Sequence, residues 1–404
     1  MSTSESSNRV LSGMRPTGRL HLGHYHGVIK NWVRLQHEYE SFFFVADWHA
    51  LTTGYEATED IEKHSFDMVV DWLAAGVSPG TSTIFLQSRV PEHAELHLLL
   101  SMITPIRWLE RVPSYKDQQE KLKDKDLLTY GFLGYPLLQS ADILVYRAGN
   151  VPVGADQVAH IELTREVARR FNFIYGREPD FVEQAEAAIM KLGKKAGTLY
   201  KSLRRAYMEN GDTESLARAR ALLSDQNNLS IGDQERLFGF LEGGGRIILP
   251  EPVAILNEAP KVPGLDGEKM SKSYQNTITL REEPNEVEKK IRTMVTDPAR
   301  VRRTDAGSPQ KCPVFDLHRI YSNESICQWV QDGCESASIG CLDCKKPLIE
   351  SVCAEQEIMR DRAKEFEEDP DLVRSILQEG SEKAREAARE TLDDVRTAMG
   401  LIKR

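Results

Sequence analysis

No apolar run in this 404-residue chain approaches the roughly 20 residues a membrane-spanning helix needs, so no bilayer span and no membrane partner are expected. Positive charge is also short. Lys and Arg number 52 against 62 Asp and Glu, a net charge of −10, which excludes a global field drawing in nucleic acid and leaves only local basic surfaces for that task. One tract qualifies, KLGKKAGTLYKSLRR from Lys191 to Arg205, with six basic and no acidic side chains. Cysteine is sparse at six, yet three crowd into DGCESASIGCLDCKK between Asp332 and Lys346. The opening MSTSESSNR is polar and lacks the apolar core of a secretory leader, so a cytoplasmic location is expected. Thiols stay reduced there, and a tight cysteine group then points to metal binding or redox chemistry rather than structural disulfides. The two common glycine-rich nucleotide loops, GxxxxGK[ST] and GxGxxG, are both missing.

What is present alternates. Short apolar runs bounded by turn residues (NRVLSG at 8–13, SFFFVAD at 41–47, STIFLQS at 82–88, NVPVG at 150–154) are separated by segments of helical periodicity, such as ADQVAHIELTREVARRFN at 155–172. That pattern predicts a parallel α/β sheet. Four regions follow: residues 9–174 as the first part of a catalytic α/β domain, 175–247 as an inserted set of short helices with glycine-rich breaks, 248–283 as the return to the sheet with RIILPEP in strand and loop character, and 284–404 as a helical domain.

Two other loops carry candidate chemistry. RPTGRLHLGHYHG, Arg15 to Gly27, sets His21 and His24 three residues apart at the start of a helix, where backbone N–H groups favour anions and imidazoles can donate to phosphate oxygens. GEKMSKS, Gly267 to Ser273, has no apolar periodicity and presents Lys269 and Lys272 with Ser271 between them, a set suited to a polyphosphate. In this order, HLGH and KMSKS resemble the two signatures of class I aminoacyl-tRNA synthetases. YPLLQSADILVY with VPVGADQVAHIELTREVARRFN, LQHEYE, DWHALTT and AMGLIKR resemble the tryptophanyl branch of that family over most of the chain outside the insertion.

The resemblance implies a Rossmann-type parallel sheet with a C-terminal all-helical, anticodon-binding domain. It implies that ATP and Mg²⁺ are used to make an aminoacyl adenylate whose acyl group passes to tRNA(Trp). His21 and His24 would contact ATP while Lys269, Ser271 and Lys272 close over pyrophosphate. Arg15, Gly23, Lys116 and Asp156 would also face the nucleotide. Indole offers one N–H and no acceptor, so its pocket needs one buried acceptor. The family places Asp142 there, with Tyr135 and Gln157 at the ammonium group, Val153 and Gly154 along the ring, and His49 and Gln139 beside them. Gln139 also fits a tyrosyl pattern, which keeps L-tyrosine as the alternative to L-tryptophan. A different class of alternative is a non-catalytic, synthetase-like RNA-binding protein with an iron–sulfur centre. A homodimer is expected from the family.

Cys312, Cys334, Cys341 and Cys344 are spaced C-x21-C-x6-C-x2-C. Zinc knuckles usually come in two short pairs and only one is present. The spacing resembles a bacterial tryptophanyl subset that carries a 4Fe–4S cluster, with zinc or free thiols as the other readings of four thiolates. Cys327 and Cys353 are left to pack as small apolar residues.

Overall fold

The structure is a computed structural model and describes residues 8–113, 129–176, 180–226, 228–256 and 260–402. Its centre is a five-stranded sheet of β1 (Arg9–Met14), β2 (Glu40–Val45), β3 (Ser82–Leu86), β4 (Asn150–Val153) and β5 (Val253–Leu256), in the order β3-β2-β1-β4-β5 with every pairing parallel. The apolar run of β2 is buried on both faces: Phe43 packs with Val10, Ile84 and Trp32 on one side, and Phe42 and Phe44 with Leu11, Phe85 and Tyr146 on the other. Such continuous burial is what a parallel sheet covered by helices requires. Strand order reverses at β1, so the crevice beyond the carboxyl ends of β1 and β4 is the expected ligand site.

The run RIILPEP is not a strand. Ile248 and Leu249 are buried, but their backbone N–H groups both donate to Asn172 Oδ1, at 2.9 and 3.0 Å, and the ladder begins only at Val253. A side chain near the end of Val158–Tyr175, the crossover helix after β4, takes the place of a neighbouring strand.

Residues 181–241 form four helices, Phe181–Lys191, Gly193–Asn210, Thr213–Ser224 and Ile231–Leu241, closed around a small core of their own that includes Tyr200, Leu203, Leu223 and Leu237. They lie between the crossover helix that follows β4 and the start of β5, hence at the amino edge of the sheet, away from the crevice. Within the basic tract Lys191 pairs with Asp233 (2.6 Å) and Arg204 stacks on Phe240, while Lys194, Lys195, Lys201 and Arg205 are exposed.

The region after residue 284 is helical and joins both cores of the sheet. One long helix, Cys341–Glu368, packs on Ile61–Ala74, and the last, Pro370–Ala398, runs along β3. Gly380 makes that approach possible: a Cβ there would lie 1.9 Å from the Ile84 carbonyl oxygen. The helix thereby covers an edge strand that would otherwise be open to pairing.

Candidate active site

At the carboxyl end of β1 the chain turns through Gly18, whose φ of +102° is open to glycine and costly for other residues. His21 then caps the next helix. Its Nδ1 accepts from the Gly23 N–H (3.1 Å), its own N–H donates to His24 Nδ1 (3.3 Å), and the two rings lie 3.8 Å apart. The helix starts at Leu22–His24, passes through a π-helical turn at Tyr25–Ile29 and continues as Lys30–Leu35. The two histidines therefore form a reciprocal cap, rather than projecting in parallel from one helical face.

The return segment brings the second loop onto this cap. Leu22 N–H donates to Ile278 O and Leu280 N–H to Leu20 O, both at 3.0 Å. Lys272 Nζ donates to Gly18 O (2.7 Å) and Thr17 Oγ1 (3.3 Å), so two motifs some 250 residues apart in sequence touch. Burial, then Lys272 and Lys269, lowers His21 to about 4. Burial, then His21 and the two lysines, lowers His24 to about 2, so both imidazoles are neutral at pH 7. Burial also brings Lys272 down to about 8. Lys269 is exposed and Ser271 half-buried. Both are held by Asn276, whose amide accepts from the Ser271 N–H (2.8 Å) and donates to Lys269 O (3.2 Å) and Asp266 (2.7 Å). Sequence reasoning passed over this buried asparagine.

A cavity of about 520 Å³ opens beside the cap, lined among others by Arg15, His24, His49, Tyr135, Gln139, Asp142, Val153, Gly154 and Gln157. Gly13 lets the Phe44 ring lie over the strand, since a Cβ there would meet it at 2.5 Å. Gly154 likewise leaves room for the Asp156 carboxylate, which accepts from Gln157 Nε2 at 3.0 Å. Asp142 lies on the helix Tyr130–Val145 and is buried. Its Oδ2 accepts from His49 Nε2 (2.7 Å), and its Oδ1 from Gln87 Nε2 (2.8 Å) and His93 Nδ1 (2.6 Å). Burial would raise its pKa, but the bonds from His49 and His93 outweigh burial and hold it well below the usual carboxylate range. Gln87 and His93 are further residues the sequence did not disclose. Lys116 lies outside the described residues.

The cysteines stand apart from this cavity. Cys312 precedes the helix Pro313–Tyr321, Cys334 lies near the end of Glu324–Glu335, and Cys341 and Cys344 open the long helix. Burial, followed by Cys312, Cys334 and Cys341, pushes the Cys344 thiol up to about 12, which puts the four thiols in one neighbourhood. Arg300 Nη1 reaches Cys334 Sγ at 3.6 Å, and its buried Nε has no hydrogen-bond partner among the described residues. Those residues contain no group of three or more His, Cys, Asp or Glu side chains converging as a metal site.

Comparison with known proteins decides the family. The model of class I tRNA synthetases for tryptophan and tyrosine matches residues 3–198 and 225–355. This chain belongs to that family. The gap between the two matched segments, 199–224, lies inside the four-helix insertion, and residues 356–404 also fall outside the match. A tryptophan–tRNA ligase of Ralstonia nicotianae is 64% identical over 393 residues, spanning 97% of this chain and 98% of the relative. One from Thermotoga maritima is 43% identical across 98% of this chain and 99% of its own length. Among solved structures, tryptophanyl-tRNA synthetase of Campylobacter jejuni in complex with ADP and tryptophan superposes with a TM-score of 0.71 at 29% identity, covering 97% of this chain and 99% of that one. The two signature loops and the cavity between them thus sit in a class I synthetase, at the switch point where such a fold binds ligands.

Proposed function

We propose that this chain is a tryptophan–tRNA ligase and that the 520 Å³ cavity is its adenylation site, a reading carried by the meeting of both signature loops beside a buried carboxylate. Tryptophan's carboxylate oxygen attacks the α-phosphorus of ATP, the bond to pyrophosphate breaks, and the acyl group of the adenylate passes to a hydroxyl at the tRNA(Trp) 3′ end with release of AMP. Neutral His21 and His24 offer dipoles to the triphosphate without the cost of a fixed charge in the empty site. Lys269 and Lys272, on a loop held by Asn276, meet the charge that grows on the leaving pyrophosphate. Arg15, Gly23 and Asp156 border the nucleotide, while Tyr135 and Gln157 take the ammonium group. Magnesium, when it arrives with the nucleotide, would supply counter-charge to the phosphates beside Lys269 and Lys272. Val153, Gly154 and Gln139 line the ring, and Asp142 accepts the indole N–H beside His49.

ATP–pyrophosphate exchange run with each of the twenty amino acids tests this. Tryptophan should be the best substrate, and Asp142→Ala should lower its kcat/KM by about 30- to 150-fold, the loss of a hydrogen bond to a charged group. Faster exchange with tyrosine would move the assignment to the tyrosyl branch. ATP binding with no exchange would favour the RNA-binding reading.

The partners follow the same reading. Leu98, Met102, Ile106 and Tyr130 are 54%, 67%, 61% and 68% exposed on neighbouring elements, an apolar surface that suits a second copy in a homodimer. Residues 284–404 would dock the tRNA anticodon in the cytoplasm. Four cysteine sulfurs are the donor type an iron–sulfur centre takes, and binding one would require the raised Cys344 thiol to give up its proton. Cys312, Cys334, Cys341 and Cys344 would hold it, and it would order the loop between Cys334 and Cys341. Protein purified without oxygen should be brown, with about four irons and four sulfides per chain. Colourless protein with one zinc per chain would reject the cluster.

A further inference from the structure

Of the three donors to Asp142 among the described residues, only His49 lines the cavity; the other two come from behind it. A carboxylate oxygen has about two lone-pair directions. Gln87 and His93 fill both on Oδ1, whereas among the described residues Oδ2 accepts from His49 alone and keeps one open. The two rear donors are fully buried. His93 Nε2 lies 2.7 Å from Tyr146 Oη, and burial keeps that phenol protonated, so Tyr146 donates to Nε2 and leaves the His93 proton on Nδ1, aimed at Asp142. Gln87 must turn its NH₂ toward the carboxylate, because its oxygen there would repel it. Its Oε1 is thereby left buried without a partner among the described residues. A polar atom retained at that cost points to a task beyond packing.

We propose that His93 and Gln87 are positioning residues for amino-acid selection, saturating one oxygen of Asp142 so that the carboxylate presents a single open acceptor site to a ring with one N–H and no acceptor. A phenol O–H could also donate there, but its own lone pairs would find the nearby donors already committed to Asp142 and would go unpaired. Tyr146 acts one step further back, by fixing the His93 tautomer. The inference rests on the reading that Asp142 accepts the indole N–H.

The test compares kcat/KM in pyrophosphate exchange for tryptophan and for β-(3-benzothienyl)alanine, which replaces the ring N–H by sulfur at nearly the same shape. The native protein should prefer tryptophan, and His93→Leu and Gln87→Met should each lower that preference by about tenfold, mostly through tryptophan. His93→Asn, which can return an N–H toward Oδ1, should restore part of it, and Tyr146→Phe should cause a smaller loss. Gln87→Met and Tyr146→Phe nearly conserve volume and keep the test open should His93→Leu fail to fold. If both substrates weaken together and the ratio holds, the residues are only structural and the proposal falls. Asp142→Ala separates the two levels: a ratio collapsed by Asp142→Ala but untouched by the others overturns the positioning role alone, while a ratio indifferent to Asp142→Ala removes the acceptor reading beneath it.

Discussion

Raising the pH through 8 should slow adenylate formation by discharging one amine. Burial brings Lys272 down from 10.5 to about 8 against the pull of Asp71, although its ammonium donates to Gly18 O and Thr17 Oγ1. The profile of kcat/KM reports the free enzyme, so kcat/KM for ATP should fall about tenfold per pH unit above 8. The fall should level off after about two units, once the residual rate reflects a site lacking one cation, a loss of about 10²-fold. At saturating ATP the polyphosphate favours the charged amine, and the limb in kcat should move to higher pH. Unfolding would not explain the loss. Between 8 and 10.5 the unfolded chain binds this proton and the folded chain does not, so this group makes stability rise with pH while activity falls. Pyrophosphate exchange at constant ionic strength from about pH 6.5 to 10, paired with urea midpoints, measures both. Lys272→Arg carries a charge that does not titrate in this range and should erase the limb. A flat native profile, or a limb near 8 that survives in Lys272→Arg, would refute the argument.

Acid should unfold the protein from a higher pH than carboxylates alone would set. His21 and His160 are lowered to about 4, His24 to about 2, and His97 also downward, burial leading in each case. The unfolded chain therefore takes up these protons below about 6.5 while the folded chain does not, and stability should drop as pH falls, by up to about 1.4 kcal/mol per unit for each well-buried group and less for the half-buried His24 and His97. Urea midpoints at pH 7, 6 and 5 that do not move would contradict this. Gly380→Ala should lower stability by about 1–3 kcal/mol or more, because its Cβ meets the Ile84 carbonyl at 1.9 Å and the contact is backbone on both sides. An unchanged urea midpoint would mean that the last helix is free to move off β3.

The strands were legible where burial on both faces writes an apolar run, as in SFFFV, and so were both signature loops, whose residue types announce phosphate chemistry. The fifth strand was misplaced because Ile247 to Leu249 have the composition of a strand, and nothing local reveals that Asn172, some 75 residues earlier, satisfies their backbone. His21 and His24 were read as a phosphate-facing pair. Their mutual capping depends on a turn geometry that spacing alone does not encode. Gln87 and His93 were hidden for a related reason: each lies in an unremarkable sequence, and only the fold brings both to Asp142. The joining of the last helix to the sheet left a single trace, a glycine inside a long amphipathic helix, which gains meaning only once β3 is beside it.

The helix Cys341–Glu368 explains how one element can serve two tasks without mixing them. Its first turn carries Cys341 and Cys344, while further along Gln356 Nε2 donates to Thr279 O (2.6 Å) and Arg360 Nη1 to Glu282 O (2.8 Å), bracing the segment that follows KMSKS. Glu355 lies 3.6 Å from His26 Nε2, on the helix that carries the histidine cap. A rigid rod would pass any disturbance at the thiols to the adenylation site. Pro347 weakens the rod near its start without breaking it, because residue 347 has no N–H to give the Asp343 carbonyl. Beyond that point Leu348, Val352, Met359 and Ala363 anchor the helix in the sheet's core, and Glu355 sits about 16 Å along the axis from Cys344. Loosening the thiol end, as Cys341→Ser would, should therefore fray one turn and stop at the proline. Transfer to tRNA would weaken while pyrophosphate exchange stays near the native rate, and equal loss of both would mean that the rod transmits the disturbance after all.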